Sequence, residues 1–282
     1  MSFTTLIDVA ALRGLSAAVL LDCRFDLAAP AAGRQAYLQA HIPGARYADL
    51  NEDLAGRVSA GSGRHPLPSP AALARRLAAF GIGKGVQVVA YDQANGAFAA
   101  RAWWLLRWLG HPQVAVLDGG FCAWTAAGGG CESGEPEVQA AAVPLPHEGT
   151  EPVVSSDEVL RGLDDTSRLL VDARAAERYA GTVEPLDPIA GHVPGAVNHP
   201  FADNLRPDGR FLAPAELRRR WRERLAGTAP ADTILMCGSG VTACHNLLAL
   251  EVAGLPGARL YAGSWSEWIR DFRRPVKRGT AP

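Results

Sequence analysis

The sequence predicts a two-domain α/β protein, each half a parallel sheet flanked by helices. Three observations carry the prediction. A chain of 282 residues is long enough for two compact domains, each burying its own core. It also repeats itself. Leu20-Leu21-Asp22-Cys23-Arg24 returns as Leu170-Val171-Asp172-Ala173-Arg174, His41-Ile42-Pro43-Gly44-Ala45 as His192-Val193-Pro194-Gly195-Ala196, and Gly119-Gly120-Phe121-Cys122-Ala123-Trp124 as Gly263-Ser264-Trp265-Ser266-Glu267-Trp268. Matches in one order at a nearly constant offset mark a duplicated unit. Within each copy, apolar runs alternate with helical patterns, as in a parallel sheet covered by helices. The expected division is a first domain over 1–130, a connector over 131–152 that is rich in Gly, Pro and Glu, and a second domain over 153–282.

In the first copy, Asp8 to Leu15 predicts a short helix and Val19 to Asp22 a buried strand. Ser69-Pro70 supplies an N-cap and first position for a helix ending at Gly81. Val86 to Tyr91 is the next strand, Ala99 to Leu109 a helix closing before Gly110, and Val114 to Leu117 a further strand. In the second copy Ser155 and Glu158 form a capping box. Leu169 to Val171 reads as a strand, Pro214 to Leu225 as a helix and Ile234 to Met236 as a strand.

Composition excludes several classes of partner. With 28 Lys+Arg against 29 Asp+Glu, no strong field draws nucleic acid or an anionic membrane. Five cysteines without a C-x-x-C pair suit neither a disulfide framework nor zinc. Asp8 and Arg13 interrupt the N-terminus against a signal peptide, and no segment has the length of a membrane span. The reading is a cytoplasmic protein with no tightly bound cofactor or metal, whose partners are small molecules or another protein's thiol.

Chemistry concentrates in Cys237-Gly238-Ser239-Gly240-Val241-Thr242-Ala243, which follows the strand and precedes a helical run from Cys244 to Val252. Strand, glycine-bearing loop and helix N-terminus make a nest of backbone N–H groups that favours an anion. A cysteine at its mouth is expected to act as thiolate nucleophile. Phosphatase chemistry needs an arginine six residues after the cysteine, and position 243 is Ala. In the first copy Asp92 aligns with Cys237, and an aspartate cannot carry sulfur. That copy is expected to be catalytically silent and to wall a cleft between the domains.

The loop resembles the active-site loop of the rhodanese superfamily in the version of 3-mercaptopyruvate sulfurtransferases. The resemblance to tandem-domain sulfurtransferases spans nearly the whole chain. It implies that Cys237 takes sulfane sulfur from a donor, becomes a persulfide, and passes the outer sulfur to cyanide or to a thiol, either a small thiol or a reducing protein such as a thioredoxin. Loop amides through Gly238, Gly240, Val241 and Thr242 would hold thiolate and persulfide in turn.

Read from the residues alone, Asp49 serves equally as a turn cap and His65 as a surface loop histidine. The resemblance instead groups them with Ser239 as the acid–base constellation for a pyruvate enolate. It likewise matches Arg178 to an arginine that binds the donor carboxylate, where the residues alone also allow a solvated charge beside Glu177. A second arginine found in animal mercaptopyruvate enzymes is absent from Val183-Glu184-Pro185-Leu186-Asp187-Pro188-Ile189.

Arg24, Arg174, His41 and His192 recur in both copies and are read as structural, Cys244 and the Trp103, Trp104 and Trp108 helix as core. Trp265 is placed at the active-site mouth. Two rival functions are thiosulfate:cyanide sulfurtransfer on the same cysteine and a partner-dependent persulfide carrier. The missing second arginine favours thiosulfate and the uncharged loop disfavours it, since a doubly charged donor gains from cations near the nucleophile; a carrier has no need of the acid–base trio.

Overall fold

The computed structural model describes residues 2–141 and 151–282, so part of the expected connector, 142–150, lies outside the described residues. The chain divides into two compact units: Met1–Gly56 with Leu67–Glu151 and Pro207–Phe211, and Arg57–Pro66 with Pro152–Arg206 and Leu212–Pro282. The segment bearing His65 thus belongs to the unit that holds the cysteine loop.

The N-terminal unit has strands β1 (Leu6–Ile7), β2 (Val19–Asp22), β3 (Arg46–Tyr47), β4 (Val88–Tyr91) and β5 (Val114–Leu117), all parallel in the order β1-β5-β4-β2-β3. The C-terminal unit has β6 (Leu169–Asp172), β7 (Val197–Asn198), β8 (Thr233–Met236) and β9 (Arg259–Leu260), parallel in the order β7-β6-β8-β9. The central β4, β5 and β8 are buried at every residue, as strands covered on both faces must be. Helix punctuation follows the sequence. The Ser69 hydroxyl accepts from Ala72 N at 3.3 Å with Pro70 opening the helix, and Ser155 with Glu158 closes a reciprocal capping box.

The duplicated residues hold the two units in the same way. Asp22 takes Arg24 Nε at 3.0 Å and Nη2 at 2.7 Å, and Asp172 takes Arg174 Nε at 3.0 Å and Nη2 at 2.7 Å. Each guanidinium also donates to the carbonyl just before the histidine turn, Ala40 at 2.6 Å and Gly191 at 2.7 Å. His41 lies on Tyr37 with centroids 4.1 Å apart, and His192 on Tyr179 at 3.9 Å. Such buried bidentate pairs fix backbone geometry, because losing one partner leaves the other charge without water. Among the described residues no helix is long and apolar enough to cross a membrane.

Candidate active site

Cys237 stands at the C-terminal end of β8 and is 2% exposed. Its loop is fastened on both sides. The Cys237 carbonyl accepts from Trp265 N at 3.0 Å and the Gly238 carbonyl from Ser266 N at 2.9 Å. The Cys237 amide donates to Ser264 Oγ at 3.0 Å, and that hydroxyl donates on to Tyr261 O at 2.9 Å. Ser264 adopts φ 54, where its repeat counterpart Gly120 has φ 56. A serine in the left-handed region costs energy that a glycine does not. Its hydroxyl offsets that cost by holding the nucleophile's backbone.

The helix Thr242–Val252 begins without a side-chain cap at Val241, leaving first-turn amides of positive character beside the loop. What such a loop binds is displayed in the first copy. Tyr91 O accepts from Cys23 N as Met236 O accepts from Ala173 N, and Asp92 O accepts from Phe121 N as Cys237 O does from Trp265 N. Asp92 is therefore the positional equivalent of Cys237. Its carboxylate accepts from Ala94 N at 3.2 Å, Gly96 N at 2.9 Å, Phe98 N at 2.9 Å and Ala99 N at 3.2 Å. Burial pushes this carboxyl's pKa up, and the four amides work against that rise. The first copy's nest is occupied by its own aspartate, in the place where the second copy offers sulfur.

Ser239 and His65, both buried, meet with Oγ 2.7 Å from Nδ1. The Arg64 amide donates to Ser266 Oγ at 3.0 Å and fixes the backbone next to that histidine. Arg178 and Arg64 both reach the loop: a β-carbon added at Gly238 would sit 3.0 Å from Arg64 Nη2 and 3.5 Å from Arg178 Nη1. Glu184 takes Arg178 Nη2 at 2.7 Å, and Asp187 takes both Arg178, at 3.2 Å, and Arg64. Burial opposes the Glu184 charge, but hydrogen bonds from Arg178 and the Leu186 amide outweigh it and hold the carboxyl below its ordinary range. Burial pushes the Asp187 carboxyl upward, against the pull of Arg64 and Arg178. Behind them Arg174 is buried, which disfavours its charge, yet Asp172, Glu184 and Cys237 raise its pKa overall.

Asp49 lies in the N-terminal unit, where it lines a cavity of about 480 Å³ with Arg34, Arg46 and Arg76. Its carboxylate accepts from Asn51 N at 2.7 Å, Glu52 N at 3.1 Å and the Tyr47 hydroxyl at 3.4 Å, so it does cap its turn. Trp265 is not at a mouth: it is fully buried, its indole N–H donates to Ile189 O at 2.8 Å, and Arg174 lies 4.8 Å over its ring. Cys244 is core, its thiol 3.3 Å from Gly240 O. Sequence reasoning assigned no role to Glu184, Asp187 or Ser264. Only Ser264 carried a signal, a serine where the repeat has glycine.

Among the described residues no group of three or more His, Cys, Asp and Glu side chains is arranged to hold a metal.

A rhodanese-like domain matches the chain twice, over residues 6–127 and 155–271. A probable 3-mercaptopyruvate sulfurtransferase of Pseudomonas aeruginosa is 50% identical over 93% of this chain and 92% of its own. A putative thiosulfate sulfurtransferase of Mycobacterium tuberculosis is 42% identical over 93% of this chain and 91% of its own. Among solved structures, 3-mercaptopyruvate sulfurtransferase from Leishmania major aligns with TM-score 0.86 at 33% identity, covering 97% of this chain and 76% of that one.

Proposed function

The chain belongs to the rhodanese-like family, and from that premise we propose that it is a sulfurtransferase working through a Cys237 persulfide, with 3-mercaptopyruvate as donor. The observation that carries this reading is the Ser239–His65 hydrogen bond at 2.7 Å, two residues from the nucleophile. A persulfide relay has no use for such a pair, whereas a reaction that expels an enolate does. The 50% identity to a probable 3-mercaptopyruvate sulfurtransferase points the same way.

In the first step the Cys237 thiolate attacks the sulfur of the donor thiol. The C–S bond breaks and its electron pair passes to carbon as the enolate of pyruvate. Ser239 and His65 stabilise the enolate oxygen and relay the proton, so that the hydrogen of the donor thiol ends on C3 of pyruvate and the enzyme is left as Cys–S–S⁻. The loop and first-turn amides hold this anion as the equivalent amides hold Asp92. In the second step an acceptor thiolate or cyanide attacks the outer sulfur, and the Cys237 thiolate leaves. Small thiols and a reducing protein such as a thioredoxin are acceptors of the right chemistry. Asp49 is assigned the third place in the relay on family resemblance, and the N-terminal copy is assigned no catalytic step because Asp92 replaces the sulfur.

Thiosulfate is the second reading, favoured by the name of the Mycobacterium tuberculosis relative and by the two guanidiniums over Gly238. Glu184 and Asp187 balance those two charges, so the site offers a doubly charged donor little net attraction. Initial rates with each donor at matched cyanide separate the readings. A mercaptopyruvate rate well above the thiosulfate rate is expected, and the reverse order would overturn the assignment.

A further inference from the structure

Arg64 and Arg178 come from distant segments of the sequence and share one carboxylate. Asp187 Oδ1 takes Arg64 Nη1, and Oδ2 takes Arg178 Nη2 at 3.2 Å. The Asp187 side chain is 3% exposed, so water does not compete for these bonds. Glu184 takes Arg178 a second time, at Nε and Nη2. Each guanidinium is therefore held along one edge and turns another toward the loop, Arg64 by Nη2 and Arg178 by Nη1.

We propose that Asp187 is a positioning residue for donor selection, fixing the separation of Arg64 and Arg178 so that their loop-facing edges form a two-guanidinium seat for the carboxylate of an α-keto acid. The inference rests on the sulfurtransferase reading above. Arg64, Arg178, Glu184 and Asp187 sum to no formal charge, so the seat selects through geometry: two planar forks at fixed spacing match a planar carboxylate. The stretch Val183 to Ile189 contributes no cation of its own. It contributes the anions that aim cations from elsewhere. Because the Arg64 backbone is held separately through Ser266, releasing its side chain leaves His65 on Ser239. The effect of losing Asp187 therefore falls on donor binding rather than on turnover.

The test compares steady-state kinetics of the full chain and its Asp187→Ala, Arg64→Gln and double variants, using 3-mercaptopyruvate and mercaptoacetone, the neutral analogue that lacks the carboxylate. Each single variant is expected to raise KM for mercaptopyruvate about tenfold or more, the range for losing a charged hydrogen bond. The kcat should stay within about threefold, and kcat/KM for mercaptoacetone should not move. Since Asp187 acts through Arg64 as well as Arg178, which Glu184 also holds, the double variant should lose less than the product of the two single losses. An unchanged or lowered KM in Asp187→Ala, equal losses with both donors, or additive losses in the double variant would overturn the proposal. If mercaptoacetone is too slow to follow, the double variant decides. If Asp187→Ala fails to fold, Asp187→Asn, which keeps the shape and removes the charge, replaces it with the same expected rise. A wild-type protein inactive on mercaptopyruvate would instead refute the mercaptopyruvate reading on which the inference rests.

Discussion

Gly240 is the position where the loop has least freedom, and replacing it with alanine tests whether loop geometry governs activity. It sits at φ 76, and a β-carbon there would lie 2.3 Å from the Ala262 carbonyl oxygen. Gly44, at φ 75, has nothing within 4 Å of the same built atom. Both Gly→Ala changes incur the left-handed backbone cost of about 1–2 kcal/mol. Only Gly240→Ala must also move a backbone carbonyl, by about 1 Å to reach ordinary contact, and overpacking of that kind costs a further ~1–3 kcal/mol. Expected destabilisation is thus about 2–5 kcal/mol for Gly240→Ala against ~1–2 kcal/mol for Gly44→Ala. A displacement of that size beside the nucleophile should lower kcat roughly a hundredfold, while Gly44→Ala keeps its activity. Urea unfolding and mercaptopyruvate turnover read the two effects. Equal stability of the two variants, with activity retained in Gly240→Ala, would refute the reasoning.

Four further outcomes are expected. Ser239→Ala should lower kcat about 10²–10⁴-fold, as loss of a general acid–base group does, and Asp49→Asn, as the third member of the relay, should lower kcat in the same assay, with unchanged turnover in Asp49→Asn removing it from the relay. Asp92→Ala should leave four loop amides without their acceptor and destabilise the N-terminal unit by about 3–6 kcal/mol, with an unshifted unfolding midpoint counting against the anion-nest account. Ser264→Ala and Ser264→Gly both remove the acceptor of the Cys237 amide, at about 1–3 kcal/mol each, but only the alanine keeps the left-handed strain, so it should be the less stable of the two by about 1–2 kcal/mol, a ranking that thermal melts establish. Burial holds His199 at about 4, below its ordinary 6.5. Between those values the unfolded chain binds a proton the folded one refuses, so stability should fall by about 3 kcal/mol as pH drops from 6.5 to 4, and His199→Gln should flatten that slope in unfolding measured across the range.

What the sequence disclosed and what it withheld divide along the range of the interactions involved. The duplication was legible because whole local motifs recur, and the Asp–Arg pairs after β2 and β6 bond identically. Cys237 and Ser239 were legible because strand, glycines and helix lie consecutively. His65 came from family resemblance, since nothing local tells a buried histidine from an exposed one. The two-residue strands β1, β3, β7 and β9 went unread because two residues carry no periodicity. The helix Ala31–Gln39 went unread because Pro30 gives it no side-chain cap and its apolar stripe is weak. Trp265 was misplaced because sequence does not show burial: Arg24 lies 4.4 Å over Phe121 as Arg174 lies 4.8 Å over Trp265, yet Phe121 is partly buried and Trp265 fully so. Asp187 and Glu184 lie in a stretch without pattern, and their role exists only once Arg64 folds against them.

The central claim is that Cys237 carries sulfur taken from 3-mercaptopyruvate. Intact mass of the reduced protein after brief exposure to that donor, with Cys237→Ser alongside, tests it most directly. A gain of one sulfur atom by the wild type and none by the variant is the predicted result. No gain by the wild type, or an equal gain by the Cys237→Ser protein, would contradict it.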